Sequence, residues 1–216
     1  MRVILLRHGE SEANVKRQFA GFMDTPLTEK GRAQAEQVSL YLGWYQFSRI
    51  ISSPLERAYE TAWLAAALDM KGADSGRASE IEKWDGFKEM NFGRCEGLTL
   101  EAINALEPQL TESFALDYSN TVYPEGESLV HFYERVVATY KIFIEECLKS
   151  KQSKDSEEDI LLVTHSGVIR AILAHEIGGR FESYWHYKIE NCGYAVLEYS
   201  GDFAVLSELN NAICKE

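Results

Sequence analysis

Positive charge is scarce in this 216-residue chain: 22 lysines and arginines stand against 34 aspartates and glutamates, a formal net charge of −12. A field of that sign repels phosphate-rich polymers and anionic bilayers, so general affinity for nucleic acid or membrane is excluded and any anion site must be local. Cysteine is scarce too. Cys95, Cys147, Cys192 and Cys214 lie far apart with no Cys-x-x-Cys spacing, which argues against a zinc site or disulfide framework and fits reduced thiols packed as small apolar groups. No apolar run approaches the roughly 18 residues of a membrane span, and residues 3–6 are too short a stretch for a secretory signal. The expectation is a soluble, cytoplasmic protein. A carboxylate or His-x-His cluster is missing as well, so we expect neither metal nor cofactor. With no internal repeat and no second domain of comparable size, we expect one domain over residues 1–216.

What the chain does have is a set of short apolar runs that end abruptly in polar residues. "VILLRHG" at 3–9 and "DILLVTHSG" at 159–167 each run straight into His-Gly or His-Ser-Gly, and "SRIISS" at 48–53 ends in serines. Continuous rather than alternating hydrophobicity is the mark of central strands in a parallel sheet, whose two faces are both covered by helices. Helical spacing lies between them. From Thr28 the pattern places Ala33, Ala35, Val38, Leu40, Tyr41 and Leu42 on a stripe weakened by Gly31 in the first turn, and residues 127–149 carry a broader one. Ser53, Pro54 and Glu56 read as a capping box that starts a helix carrying Arg57.

Residues 149–159 contain no apolar side chain before Ile160 and read as a solvated loop. "GYAVLEYS" and "DFAVLSEL" flank Gly201-Asp202 as an edge hairpin. The fold expected is therefore α/β, three layers with a mostly parallel central sheet, a helical cap inserted around 85–125, and that C-terminal hairpin.

In open α/β sheets the ligand crevice lies beyond the carboxyl ends of the strands. His8 and His165 each follow a buried strand directly, with Arg7 beside one and Arg57 arriving on the helix after a third. Ser166 and Gly167 can add backbone N–H groups at a helix start. Two arginines and two histidines in that place describe a pocket for a tetrahedral dianion, since buried cations are costly without an anion to meet them.

Taken in order, "RHGES" with Asn14, "SSPLERAYETA", "FKEMNFGRCEG", "PEGES" and "VTHSG" closely resemble the histidine phosphatase superfamily, in its phosphoglycerate-mutase-like branch. The resemblance covers nearly the whole chain. It implies a phosphomonoester hydrolase that works through phosphohistidine and needs no metal. His8 matches the family's nucleophile; Arg7, Asn14, Arg57 and His165 match the groups that hold the phosphoryl oxygens; Glu89 matches the proton donor. Ser166 joins the phosphate-binding set. A neutral imidazole is a competent nucleophile near pH 7 when its other nitrogen holds the proton against a fixed acceptor, and a nearby backbone carbonyl is expected in that role for His8. Uncatalysed phosphomonoester hydrolysis is slow enough that accelerations up to about 10²¹ are known, so several donors must converge on the transition state.

Glu80, Glu82, Asp85 and Glu96 are acids close enough in sequence to compete with Glu89, while His131, His175 and His186 read as packing or hydrogen-bonding residues. Phosphoglycerate mutases of this family follow the donor glutamate with Arg-His-Tyr-Gly. This chain has Met90-Asn91-Phe92-Gly93, and without that arginine a substrate carboxylate loses a charge-assisted partner. The chain therefore resembles the phosphatases, alpha-ribazole phosphatases and broad-specificity members above all, with phosphoglycerate mutase as the alternative. A phosphate-binding module without catalysis is the alternative of another class. Phe19, Phe22, Trp84, Phe87 and Phe92 offer an apolar wall for the alcohol. The expected partner is a small-molecule phosphomonoester, and a homodimer stays open.

Overall fold

A computed structural model describes residues 1–67, 80–150 and 158–209. Cys214 and most of the expected loop at 149–159 lie outside the described residues. The sheet contains β1 (Arg2–Arg7), β2 (Phe47–Ser52), β3 (Ile81–Lys83), β4 (Asp159–Thr164), β5 (Tyr194–Ser200) and β6 (Phe203–Leu209) in the order β3-β2-β4-β1-β5-β6. The first four strands are mutually parallel, and β5 and β6 join antiparallel as the C-terminal hairpin. The expected α/β architecture with a mostly parallel sheet is the one that forms.

Every residue of β4 is buried, as are Val3, Ile4, Leu5 and Leu6 of β1. One apolar layer packs these strands against α6 (Leu129–Ser150) and α7 (Ser166–Glu176); the opposite layer packs them against α2 (Glu29–Leu42) and α3 (Glu56–Ala65). Burying each such aliphatic side chain is worth on the order of 1.5–3 kcal/mol, so the central strands form a stiff mount for the residues at their carboxyl ends. The register then decides which side chains stand there together. Arg7 pairs with Thr164 and Ser52 with Val163, so His8, His165 and Ser53 emerge side by side at one edge. The His8 amide continues the ladder to Thr164 O at 2.9 Å and the Ser53 amide reaches Val163 O at 2.9 Å.

Two local expectations need correction. The proposed capping box at Ser53 does not form: α3 begins at Glu56 with Leu55 as N-cap and no side-chain cap bond. The Ser53 hydroxyl is held by His165 instead, and the Glu56 amide is capped from a distant loop by Asp24 Oδ1 at 2.7 Å. A true capping box stands elsewhere, between Ser11 and Asn14 at the start of α1 (Glu12–Lys16). On α2 the buried stripe is Ala35, Val38 and Leu42, while Ala33, Leu40 and Tyr41 face out, because the helix lays a single narrow face on the sheet. Gly31 has a packing reason: an added Cβ would sit 2.0 Å from Glu10 O, and one at Gly9 would sit 2.4 Å from Gly31 O. The backbone after His8 thus lies directly on the first turn of α2.

The cap expected around 85–125 consists of short 3₁₀ turns at Asp85–Phe87 and Gly93–Cys95, then α4 (Leu100–Leu106) and α5 (Pro108–Asp117). It carries its own small core of Cys95, Ile103 and Leu110.

Candidate active site

A cavity of about 250 Å³ opens at the carboxyl edge of β1 and β4, lined by Arg7, His8, Asn14, Arg17, Arg57, Glu89 and Ser166 among others. On a chain of net charge −12, three guanidiniums and an imidazole gather here around one carboxylate. That local reversal of sign is what a phosphoryl dianion requires.

His8 is 5 % exposed, and its Nδ1 lies 2.7 Å from the Gly9 carbonyl oxygen. That carbonyl holds the ring proton on Nδ1 and leaves Nε2 as a lone pair, as expected from the sequence. Burial, and then the charges of Arg57 and Arg7, push the His8 pKa well below the usual imidazole range. The ring is therefore uncharged at neutral pH. His165 stands beside it with ring centroids 5.1 Å apart and planes inclined by 63°. Its Nε2 pairs with Ser53 Oγ at 2.8 Å, and its Nδ1 is a buried nitrogen with no protein partner. Burial, followed by Arg57, His8 and Arg7, lowers its pKa well below the ordinary value also.

The two arginines are anchored by carbonyls on one side and open on the other. Arg57 is 2 % exposed; its Nη1 and Nη2 donate to Met23 O at 3.0 Å and Gly21 O at 2.8 Å, and the rest of its fork of donors remains. Arg7 Nη1 donates to Ile189 O at 2.7 Å, while its buried Nε has no protein partner. Desolvation lowers both guanidinium pKa values from their ordinary range, which an incoming anion would reverse.

Asn14 is held by its own oxygen. Oδ1 accepts from the Ser11 amide at 3.1 Å and from Asn191 Nδ2 at 3.2 Å, which leaves the Asn14 NH₂ for the cavity. Glu89 Oε2 accepts from the Gly167 amide at 3.1 Å and Oε1 from the Met90 amide at 3.0 Å. The Gly167 N–H, expected to face phosphate, is thus committed to Glu89. Of the competing acids, Glu82 pairs with Arg49 at 2.6 Å and Asp85 with Lys88 at 3.1 Å, while Glu96 accepts the Phe22 and Phe92 amides. Glu89 is the acid that lines the cavity. His131 and His186 are exposed and His175 is half-buried near Glu176, all away from it.

A second cavity of about 320 Å³ adjoins the first, sharing Phe19, Glu89, Phe92 and Ser166 with it. Its walls are largely aromatic: Phe114, Tyr118, Tyr123, Tyr184 and Trp185, with Arg170 beside the last two. Phe19 and Phe92 fulfil the expectation of an apolar wall, meeting edge to face at 4.9 Å. Trp84 and Phe87 do not, because they stack on each other and meet Phe143 edge to face in the core, and Phe22 lies outside against Lys88 and Arg135. Asn191 was missed altogether. It ends no strand and belongs to no periodic stripe, yet its NH₂ reaches both His8 O at 3.2 Å and Asn14 Oδ1.

A buried neutral imidazole, with guanidiniums and one carboxylate lining the same cavity, has the chemical make-up that phosphoryl transfer in a phosphohydrolase requires. The sequence model of the histidine phosphatase superfamily (branch 1) matches residues 3–212, and this chain belongs to that family. It is 30 % identical over 211 residues to the adenosylcobalamin/alpha-ribazole phosphatase of Salmonella typhimurium, covering 98 % of this chain and 96 % of that one. The alpha-ribazole phosphatase structure from Shigella flexneri superposes with a TM-score of 0.85 at 28 % identity, over 100 % of both chains. Over a shorter stretch the chain is 32 % identical to the 2,3-bisphosphoglycerate-dependent phosphoglycerate mutase of Cytophaga hutchinsonii, covering 80 % of this chain and 76 % of that enzyme. The protein is a phosphatase acting on a small phosphate substrate. No helix among the described residues is long and apolar enough to cross a membrane.

Proposed function

We propose that this phosphatase works in two steps through a phosphoryl group carried on Nε2 of His8, with Glu89 moving the proton in both. The Nε2 lone pair attacks phosphorus while the ester P–O bond breaks, and the Glu89 carboxyl gives its proton to the departing alkoxide. Water then attacks the phosphohistidine, Glu89 takes the proton from it, and the P–N electrons return to Nε2. Arg7, Asn14, Arg57, His165 and Ser166 would hold the phosphoryl oxygens throughout. The observation that carries this reading is the His8 Nδ1 contact to Gly9 O at 2.7 Å, since a carbonyl can only accept and so leaves Nε2 as the nitrogen with the lone pair. A module that only held phosphate would need the cations but neither the oriented lone pair nor the facing acid.

The alcohol we propose is an aromatic nucleoside, with alpha-ribazole 5′-phosphate as substrate in cobalamin assembly. The aromatic chamber beside the phosphate pocket supports this, as do the names of the relatives. Mutase chemistry has less support: where a substrate carboxylate would need a cation after Glu89, Asn91 turns back on the Gly93 amide at 2.9 Å and Phe92 builds the chamber wall. The test is rapid quench at alkaline pH with a labelled substrate, which should trap phosphohistidine that is absent in His8→Ala. Alongside it, a panel of alpha-ribazole 5′-phosphate, phosphoserine and 3-phosphoglycerate, with a mutase assay, should rank the first highest in kcat/KM. A higher rank for either carboxylate-bearing ester would refute the substrate assignment.

A further inference from the structure

The two imidazoles of the site must do opposite things to one phosphoryl group, and they look alike in burial and charge. His8 offers a lone pair. In the role proposed above, holding a phosphoryl oxygen, His165 has to offer a proton, because a bare nitrogen lone pair would repel that oxygen. A neutral imidazole has one proton, so His165 is useful only if that proton sits on the nitrogen turned to the ligand.

We infer that Ser53 is a positioning residue that sets this tautomer, holding the His165 proton on Nδ1 toward the phosphoryl group. Ser53 is fully buried, so its hydroxyl proton must find an acceptor or remain unpaired at a cost. Its oxygen already accepts the Leu55 amide at 3.4 Å, and the only acceptor among the described residues within reach of its own O–H is His165 Nε2, at 2.8 Å. The hydroxyl therefore donates to Nε2, Nε2 is unprotonated, and the ring proton lies on Nδ1. The reverse tautomer would strand the serine proton. Nδ1 is the atom left without a protein partner, and burial together with Arg57 and Arg7 keeps the ring neutral, so the choice between nitrogens is not erased by double protonation.

The role of Ser53 is separate from helix capping: α3 begins at Glu56 with Leu55 as its N-cap and no side-chain cap bond, and of the helix start the Ser53 oxygen reaches only the Leu55 amide, ahead of the first turn. Pro54 and the helix beyond it instead fix the serine at the end of β2, and β2 lies against β4, whose next residue is His165. Gly9 O and Ser53 Oγ thus act as a matched pair. A carbonyl, which can only accept, sets one ring; a hydroxyl with a single proton to give sets the other.

The inference rests on the phosphatase reading for its meaning, and its test reads the tautomer directly. In protein labelled with ¹⁵N-histidine, NMR of the ligand-free enzyme should show His165 with a pyrrole-type Nδ1 and a pyridine-type Nε2, and His8 with the same Nδ1-protonated pattern; His165→Asn assigns the signals. A protonated His165 Nε2 in the parent protein would overturn the proposal, whatever the fate of phosphohistidine trapping. Ser53→Thr, which keeps the hydroxyl, should retain the tautomer and kcat/KM within about threefold, whereas Ser53→Ala should lose both, kcat/KM falling roughly 10- to 100-fold. Ser53→Ala combined with His165→Ala should be no slower than His165→Ala alone. A further loss in the double variant would mean that Ser53 acts elsewhere.

Discussion

Gly167 and Glu89 are fitted to each other: the Gly167 amide donates to Glu89 Oε2 at 3.1 Å, and a Cβ built on Gly167 would lie 2.3 Å from Oε1. The carboxylate occupies the volume that any other residue at the start of α7 would fill. Gly167→Ala should therefore displace the proposed acid without touching the guanidiniums. General acid catalysis contributes typically 10²- to 10⁴-fold, so kcat on an alkyl phosphate should fall by about 10²-fold while vanadate inhibition changes only a few-fold. An aryl ester with a good leaving group needs less protonation and should lose less. Equal loss on both esters would separate Glu89 from the leaving group.

Acid should destabilise the protein through its buried imidazoles. Burial, then Arg57 and then further neighbouring cations, Arg7 among them, hold the His8 and His165 pKa values well below 6.5, whereas both rings titrate near 6.5 once unfolded. Above that pH both states are neutral and nothing is lost. Below it the unfolded chain binds up to two more protons than the native one, so stability falls with pH at up to about 2.7 kcal/mol per pH unit from this pair. Chemical unfolding between pH 7 and 5 should show a shallower slope in His8→Asn/His165→Asn. Identical slopes would mean the rings are not buried neutral.

Metal chelation tests a simpler point. The phosphoryl charge is to be met by Arg7, Arg57 and two imidazoles, and among the described residues no group of three metal-ligating side chains stands together. Activity after dialysis against EDTA should stay within about 20 % of the untreated enzyme, a margin far below what losing a transition-state charge partner costs. Loss restored by added divalent cation would contradict that assignment.

The strands and both histidines were legible because a continuous apolar run that stops in His-Gly or His-Ser-Gly has few other meanings, and the parallel order comes with it. Glu89 was legible only through resemblance, since nothing local separates it from Glu82 or Asp85. What misled was local grammar overruled by distant partners. Ser-Pro-x-Glu reads as a helix start, but the Ser53 hydroxyl belongs to a histidine 112 positions away, and that residue cannot be seen from the string. Gly31 likewise reads as a weak helix turn until Gly9 is laid against it. Trp84 and Phe87 are aromatic and near the cap in sequence, yet they pack on each other and on Phe143 in the core.

Asn191 invites a double-mutant cycle. It sits in a turn where Cys192 adopts φ 52°, and the turn holds the site from below: Cys192 N and Asn191 Nδ2 reach His8 O, and Ile189 O anchors Arg7. If Asn191 acts by turning the Asn14 amide, Asn191→Ala should lower kcat/KM roughly 10-fold, and adding it to Asn14→Ala should cost less than about twofold more. Fully additive losses would place its action on His8 or the turn instead.

The aromatic chamber makes the sharpest prediction about substrate. Tyr184 and Trp185 meet edge to face at 4.9 Å, Arg170 lies over both rings, and Phe114 closes on Tyr123 at 4.9 Å. Trp185 is 55 % exposed, so removing it should cost the fold little while stripping one wall from the chamber. Aromatic pairs contribute about 0.5–1.5 kcal/mol beyond burial, and ring burial adds to that. Trp185→Ala should therefore lower kcat/KM about 10-fold or more for an aromatic nucleoside monophosphate and barely change it for a small aliphatic phosphate such as glycerol phosphate. A uniform loss across both esters would mean that the leaving group lies outside this chamber, and the proposed substrate class would fall with it.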